Sequence, residues 1–211
     1  MAKTDVLVFG GGTVHDWGAA MNHIVDALRR EDGLDVSTAS EDLSAFEADK
    51  IADVDVLVFY YTEGQITDRQ RDGLSRWLAS GKGCVALHAA TCSFVDDPDY
   101  LNLIGASFLM HAPYRTYQVS LTGEDHPITQ GVDTEFLVDD EQYIHEYDGR
   151  VQVHASALWK GAAQPVVWSK NHGDGRLVYI ALGHDEAAWT NPNYKALLVN
   201  STLWAGRLSD S

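Results

Sequence analysis

Cys84-Val85-Ala86-Leu87-His88-Ala89-Ala90 is an unbroken apolar run that ends in a histidine and two of the smallest side chains. A strand with no polar position is buried on both faces, and such strands lie centrally in parallel sheets covered by helices. The alanines permit a tight turn into a following helix. Upstream, Val54–Tyr61 is a second strongly apolar strand. Between the two, Thr67-Asp68-Arg69-Gln70 has capping-box spacing. The helix it opens carries Leu74, Trp77 and Leu78 on one face and stops at Gly81.

The pattern continues toward the N-terminus. Val6–Phe9 is a strand ending in Gly10-Gly11-Gly12. Trp17 to Arg30 reads as a helix with Asp16 near its start and Ile24, Ala27 and Leu28 on one face. Leu34–Thr38 is a short strand and Asp42–Ile51 a helix. The resulting βαβαβαβ order predicts an α/β fold: a mostly parallel central sheet flanked by helices, flavodoxin-like in its first half. The second half is less regular, with strands at Tyr117–Leu121, Gln152–Ala155, Val166–Ser169 and Arg176–Leu182. A last helix runs from about Asn193 to Gly206. No linker, repeat or low-complexity segment divides the 211 residues, so one domain over 1–211 is expected.

Composition narrows the function classes. Hydrophobic residues make up 45% and charged residues 22%, as in an ordinary globular protein. No apolar run reaches transmembrane length. The N-terminus passes straight into a strand without signal-peptide features, which predicts a cytoplasmic protein. The formal net charge of −16 disfavours nucleic acid and anionic membrane as partners. Aspartate dominates the acid excess and lysine is scarce, which fits either an acidic soluble surface or adaptation to high salt. Cys84 and Cys92 are too few for a disulfide framework and match no zinc-knuckle spacing.

Two histidines leave strand ends: His88, and His184 within Leu182-Gly183-His184-Asp185-Glu186. Open α/β sheets bind ligands at the carboxyl ends of their strands. His88, His184, Asp185 and Glu186 are therefore the catalytic set predicted here, with the carboxylates able to orient an imidazole. Gly10 to Gly12 occupy a phosphate-loop position. The dinucleotide fingerprint fails because its third glycine would fall on His15, and no lysine follows for a P-loop, so a flexible turn is the better reading. The turn leaves His15, Asp16 and Trp17 near the same edge as substrate-binding residues, joined by the loop residue His111. Asp140 and Glu141 could accept sugar hydroxyls while Tyr143 covers an apolar ring face. A divalent metal such as zinc held by His15, His88, His111 and His184 is the alternative to acid–base work. Imidazoles suit such ions, but no local ligand spacing supports the site.

These pieces carry a resemblance. Gly83 with Leu87-His88-Ala89-Ala90, Gly105-Ala106-Ser107-Phe108 with His111, and His126-Pro127-Ile128-Thr129-Gln130-Gly131 are followed by Asp140-Glu141-Gln142-Tyr143 and Pro165-Val166-Val167-Trp168. Gly173-Asp174-Gly175-Arg176, Leu182-Gly183-His184-Asp185, Asn191-Pro192 and Trp204-Ala205 complete the set. The chain resembles the ThuA-like (trehalose-utilisation) family, related to the class I glutamine amidotransferase-like fold. The resemblance implies sugar catabolism, with a small-molecule sugar, a disaccharide or keto-sugar, as partner. It also places His88 where the amidotransferases carry their nucleophilic cysteine, and His184 and Glu186 where those enzymes have a histidine and a glutamate. With histidine at that position, glutaminase activity is expected to be absent. A hydrolase, lyase or isomerase acting on sugar is one class. A non-catalytic sugar- or partner-binding domain on the same fold is the other. Self-association into a homo-oligomer is left open.

Overall fold

The computed structural model describes residues 3–208. Its frame is a nine-stranded sheet in the order β2-β1-β3-β4-β11-β10-β9-β6-β7. Strands β1 (Thr4–Gly12), β2 (Leu34–Ser40), β3 (Val56–Thr62), β4 (Gly83–Leu87) and β11 (Gly175–Ile180) run parallel. Every residue of β3 and β4 is buried, as their unbroken apolar runs require. Helices α1 (Trp17–Leu28), α3 (Asp68–Ala79) and α6 (Pro192–Ala205) pack against this half.

The predicted elements of this half are present, with one change. The segment 42–51 is a short turn at Leu43–Phe46 followed by a single helical turn, α2 (Ala48–Ile51), rather than one helix. Asp42 caps the first turn by accepting the Ser44 N–H at 3.0 Å, and Glu47 between the two is extended. That break lets Phe46 and Ile51 both reach the core.

The expectation of a mostly parallel sheet holds only here. Beyond β11, strands β10 (Ala162–His172), β9 (Gln152–Trp159), β6 (Arg115–Leu121) and β7 (Glu135–Asp140) pair antiparallel, so the sheet is mixed. A separate antiparallel pair is formed by β5 (Ala106–His111) and β8 (Tyr143–Tyr147). After His88 the chain makes a tight 3-10 turn through Cys92, and the next helix, α4 (Pro98–Ile104), starts only where Asp97 caps it and Pro98 fills its first position. A last short helix, α5 (Glu186–Thr190), precedes α6.

The topology matters because β11 lies between β4 and β10, with Ile180 beside Leu87 in register. His88 and the 181–184 segment therefore leave adjacent parallel strands at the same end. β1 and β3 bring Gly12 beside Thr62 at that edge as well.

Candidate functional site

Four side chains converge at the carboxyl edge. One donor atom from each of His15, His88, Glu141 and His184 lies within 4.8 Å of the others. The three imidazole rings meet edge-on, with centroids 4.9 Å (His15–His88), 5.2 Å (His15–His184) and 5.6 Å (His88–His184) apart.

Each is held from behind. His88 is 0% exposed and takes φ +40° in the turn after β4. Its Nδ1 donates to the Ala181 carbonyl at 2.7 Å, and its own carbonyl accepts the Tyr179 hydroxyl at 2.6 Å. The Nε2 atom has no hydrogen-bond partner among the described residues. His15, three residues past β1, sets its Nδ1 against Thr62 Oγ1 at 2.8 Å. Glu141, in the β7–β8 turn, places Oε2 3.1 Å from His184 Nδ1 and 3.9 Å from His88 Nε2, with Oε1 3.4 Å from His111 Nδ1. Burial, then repulsion from neighbouring imidazoles, lowers the pKa of His15 to about 4 and that of His88 well below the ordinary histidine value. Both rings are neutral near pH 7.

Asp140 ties these loops together. It is buried, and its carboxylate accepts the backbone N–H groups of Glu141 (2.8 Å), Gly183 (2.8 Å) and His184 (3.2 Å). Burial raises its pKa to about 7 against the lowering effect of these hydrogen bonds. The Gly183 carbonyl is held in turn by Tyr60 Oη at 2.9 Å and Trp189 Nε1 at 2.6 Å. Gly183 has φ +124°, a conformation that L side chains rarely adopt.

The other predicted residues divide. His111, at the end of β5, stands at the mouth and donates Nδ1–H to its neighbour's carbonyl, Ala112 O, at 2.9 Å. Tyr143 is buried beneath His88, ring centroids 4.2 Å apart, and so presents no open platform. The exposed ring at the mouth is Tyr114, 5.9 Å from the His184 ring. Asp185 caps α5 through Ala187 N–H and accepts the Tyr114 hydroxyl at 3.2 Å, rather than orienting His184. Glu186 lies exposed on α5 away from the imidazoles. Asp16 is the N-cap of α1, and Trp17 lines a separate groove with Met21, Val25 and Thr38. Adjacency in sequence does not bring these four into the group of imidazoles, because a helix start turns successive side chains in different directions. Thr62, Tyr60 and Tyr114 escaped the sequence reading. Thr62 had one signal, as the first non-aromatic polar residue after the β3 run. Two surface cavities, of about 500 and 540 Å³, lie elsewhere: between α1 and α6, and where β6 and β9 diverge.

Fold and site together define an α/β protein with a histidine–carboxylate centre at the carboxyl edge of its parallel strands. The chain belongs to the ThuA family, described as trehalose utilisation, whose model matches residues 5–205. Among solved structures it is similar to a ThuA-like protein of Parabacteroides merdae, at 18% identity and a TM-score of 0.86, covering 97% of this chain and 90% of that one. A ThuA-like protein of Bacteroides uniformis matches at 22% identity and a TM-score of 0.77, covering 97% and 92%. A β-galactosidase of Bacillus circulans matches at 13% identity and a TM-score of 0.65, covering 99% of this chain but 31% of that one. At these identities the likeness is one of fold. No curated protein matches. No helix among the described residues is long and apolar enough to cross a membrane.

Proposed function

We propose that this protein is a cytoplasmic enzyme of sugar catabolism that acts on a disaccharide or keto-sugar at the His15–His88–Glu141–His184 cluster. The convergence of those four residues from four separate loops is the observation that carries the reading. Perturbed, partly exposed polar clusters of this kind are a frequent signature of reaction centres. The trehalose-utilisation family description supports the substrate class.

The roles follow exposure. His88 is sealed at the floor and offers a fixed lone pair from Nε2. His184, Glu141 and His111 are reachable from the mouth and suit proton movement on substrate. Tyr114 and Asp185 form a ring-and-acceptor pair beside them, suited to a sugar face and its hydroxyls. Proton transfer next to a keto group, isomerisation and glycosidic cleavage all use such a set, so the reaction is that of a lyase, isomerase or hydrolase. We also read the β4–His88 turn as the counterpart of the nucleophile turn in the class I glutamine amidotransferase-like fold. On that reading glutamine is no substrate. Imidazole replaces the thiol, and Cys92 is a poor substitute because burial pushes its pKa up to about 11. Two cavities of about 500 and 540 Å³ away from the cluster favour the second reading, a non-catalytic sugar-binding domain.

Turnover of trehalose and of its keto derivative by the purified protein tests the proposal. His88→Ala and His184→Ala should each remove most of kcat/KM with the circular dichroism spectrum unchanged. The double variant should be little worse than either single one, because residues acting as a unit are non-additive. Full turnover in His88→Ala would transfer the assignment to the binding domain. Glutaminase activity lost on Cys92→Ser would overturn the exclusion of glutamine.

A further inference from the structure

The Nε2 atom of His88 raises a question that acid–base chemistry leaves unanswered. A carbonyl only accepts, so the 2.7 Å contact to Ala181 fixes the proton of His88 on Nδ1. The lone pair then sits on Nε2, fully buried and unpartnered among the described residues, within the group of four donors. Buried polar atoms are almost always paired, and an exception asks for a missing partner. Hydrogen bonding to the neighbouring imidazoles does not supply one. No hydrogen bond links any two of the three rings, although they stand within 5.6 Å of each other.

We infer that His15, His88, His184 and Glu141 bind one divalent transition-metal ion of the zinc or cobalt class. The inference rests on the proposed reaction centre and names its cofactor; with the ion bound, proton movement on substrate falls to His111 rather than to His184 or Glu141. Three imidazoles and one carboxylate form a nitrogen-rich donor set, which suits these ions and disfavours calcium and magnesium. Donors at 2.0–2.1 Å from a tetrahedral ion are roughly 3.4 Å apart. The present 4.8 Å limit therefore asks the most distant donors to draw together by about 1.4 Å. His88 is fixed, while His15, His184 and Glu141 are partly exposed and have room to turn.

The surroundings are those of a supported site. Metal-bound histidines usually give their other nitrogen to a carbonyl, carboxylate or hydroxyl, which sets the tautomer. Ala181 O does this for His88, and Thr62 Oγ1 stands 2.8 Å from Nδ1 of His15, placed to accept from it. Asp140 acts as a positioning residue, because its carboxylate holds the N–H groups of both Glu141 and His184 and so fixes two donors relative to each other. An ion held at the cluster would polarise a sugar carbonyl or activate a bound water.

The test is titration of chelator-treated, dialysed protein with Zn2+ by calorimetry and with Co2+ by visible absorption, in the absence of sugar. One equivalent should bind, with cobalt d–d bands of a four- or five-coordinate site, and millimolar Mg2+ should not compete. His88→Ala and Glu141→Gln should each weaken Zn2+ binding at least 100-fold. Asp140→Asn should weaken it 10–100-fold and shift the cobalt bands, which a merely structural role would not do. Glu186→Gln should bind like the unaltered protein. Absent stoichiometric binding, effective competition by Mg2+, or wild-type affinity in both His88→Ala and Glu141→Gln would overturn the metal site. Because the readout needs no substrate, metal binding without sugar turnover would sink only the sugar reading. Sugar turnover undiminished in metal-free protein would sink only the metal inference.

Discussion

His88 occupies a backbone region that costs an ordinary L residue about 1–2 kcal/mol, and it is held there from both ends by Ala181 and Tyr179. Glycine adopts that conformation without the steric term. His88→Gly should therefore be about 1 kcal/mol more stable than His88→Ala, a Tm difference of roughly 2–4 °C at this chain length. Equal melting of the two variants would show that the turn carries no such strain. His154 shows a different effect of burial. It lies in the core with Nε2 on Ser169 Oγ at 2.8 Å, and burial followed by repulsion from His126 lowers its pKa to about 4. The unfolded chain, with an ordinary pKa of 6.5, binds this proton first as pH falls. The neutral folded form is thus undisturbed above pH 6.5, and stability is lost progressively from there down to about pH 4. At about 1.4 kcal/mol per unit this amounts to about 3 kcal/mol. His154→Gln should lose that much less stability than the unaltered protein between pH 7 and pH 4, measured by urea unfolding. Parallel curves would refute the assignment.

Helix α3 shows how far an element can be read from its own residues. Thr67 accepts the Gln70 N–H at 3.4 Å and Gln70 Oε1 accepts the Thr67 N–H at 2.9 Å, the reciprocal cap its sequence announced. Thr67→Ala should cost about 1 kcal/mol in chemical denaturation. Gly73, in the middle of the same helix, sets two effects against each other. Helix propensity favours alanine there by about 1 kcal/mol. A Cβ at Gly73 would stand 2.2 Å from Phe46 O and 2.9 Å from Ala48 N, and backbone atoms do not yield as a side chain would. Gly73→Ala should thus lower stability by 1–3 kcal/mol despite better propensity. A stabilised variant would mean that the 43–48 segment moves aside freely. At this scale the sequence misled where pairing is long-range. The alternating burial of β7, with Phe136, Val138 and Asp140 turned inward, was present in its residues but weak beside the acidic cluster that ends it. The β5–β8 pair joins segments some 35 residues apart and has no local signal.

Across the whole molecule the −16 formal charge acts as a field rather than as pairs. Lysine and arginine neutralise about half the carboxylates, and most of the ion pairs present are at the surface, where each is worth little. Screening should then raise stability. We expect Tm to rise by several degrees between dilute buffer and molar KCl, as repulsion within a Debye length is removed. An unchanged or lower Tm would leave the acidity as a solubility feature without a high-salt role.

The sequence by itself determined the parallel half of the sheet, the caps of α1 and α3, the position of α6, the family, and the two strand-end histidines. These rest on apolar periodicity, side chains capping their own helix, and ordered motifs, all of which act over a few residues. The sequence already grouped Glu141 with the histidines, and only the tertiary structure decided which other carboxylates stand apart from them. Asp185, Glu186 and Asp16, close in sequence to the histidines, became caps or solvent-facing groups. Glu141, far from His88 and His184 along the chain, became their partner, and Asp140 the clamp behind them. The physical reason is that β11 pairs with β4 across 92 residues and the β7–β8 turn is carried over that edge by the antiparallel half. Such register depends on backbone hydrogen bonds between distant segments, and no short stretch of residues encodes it.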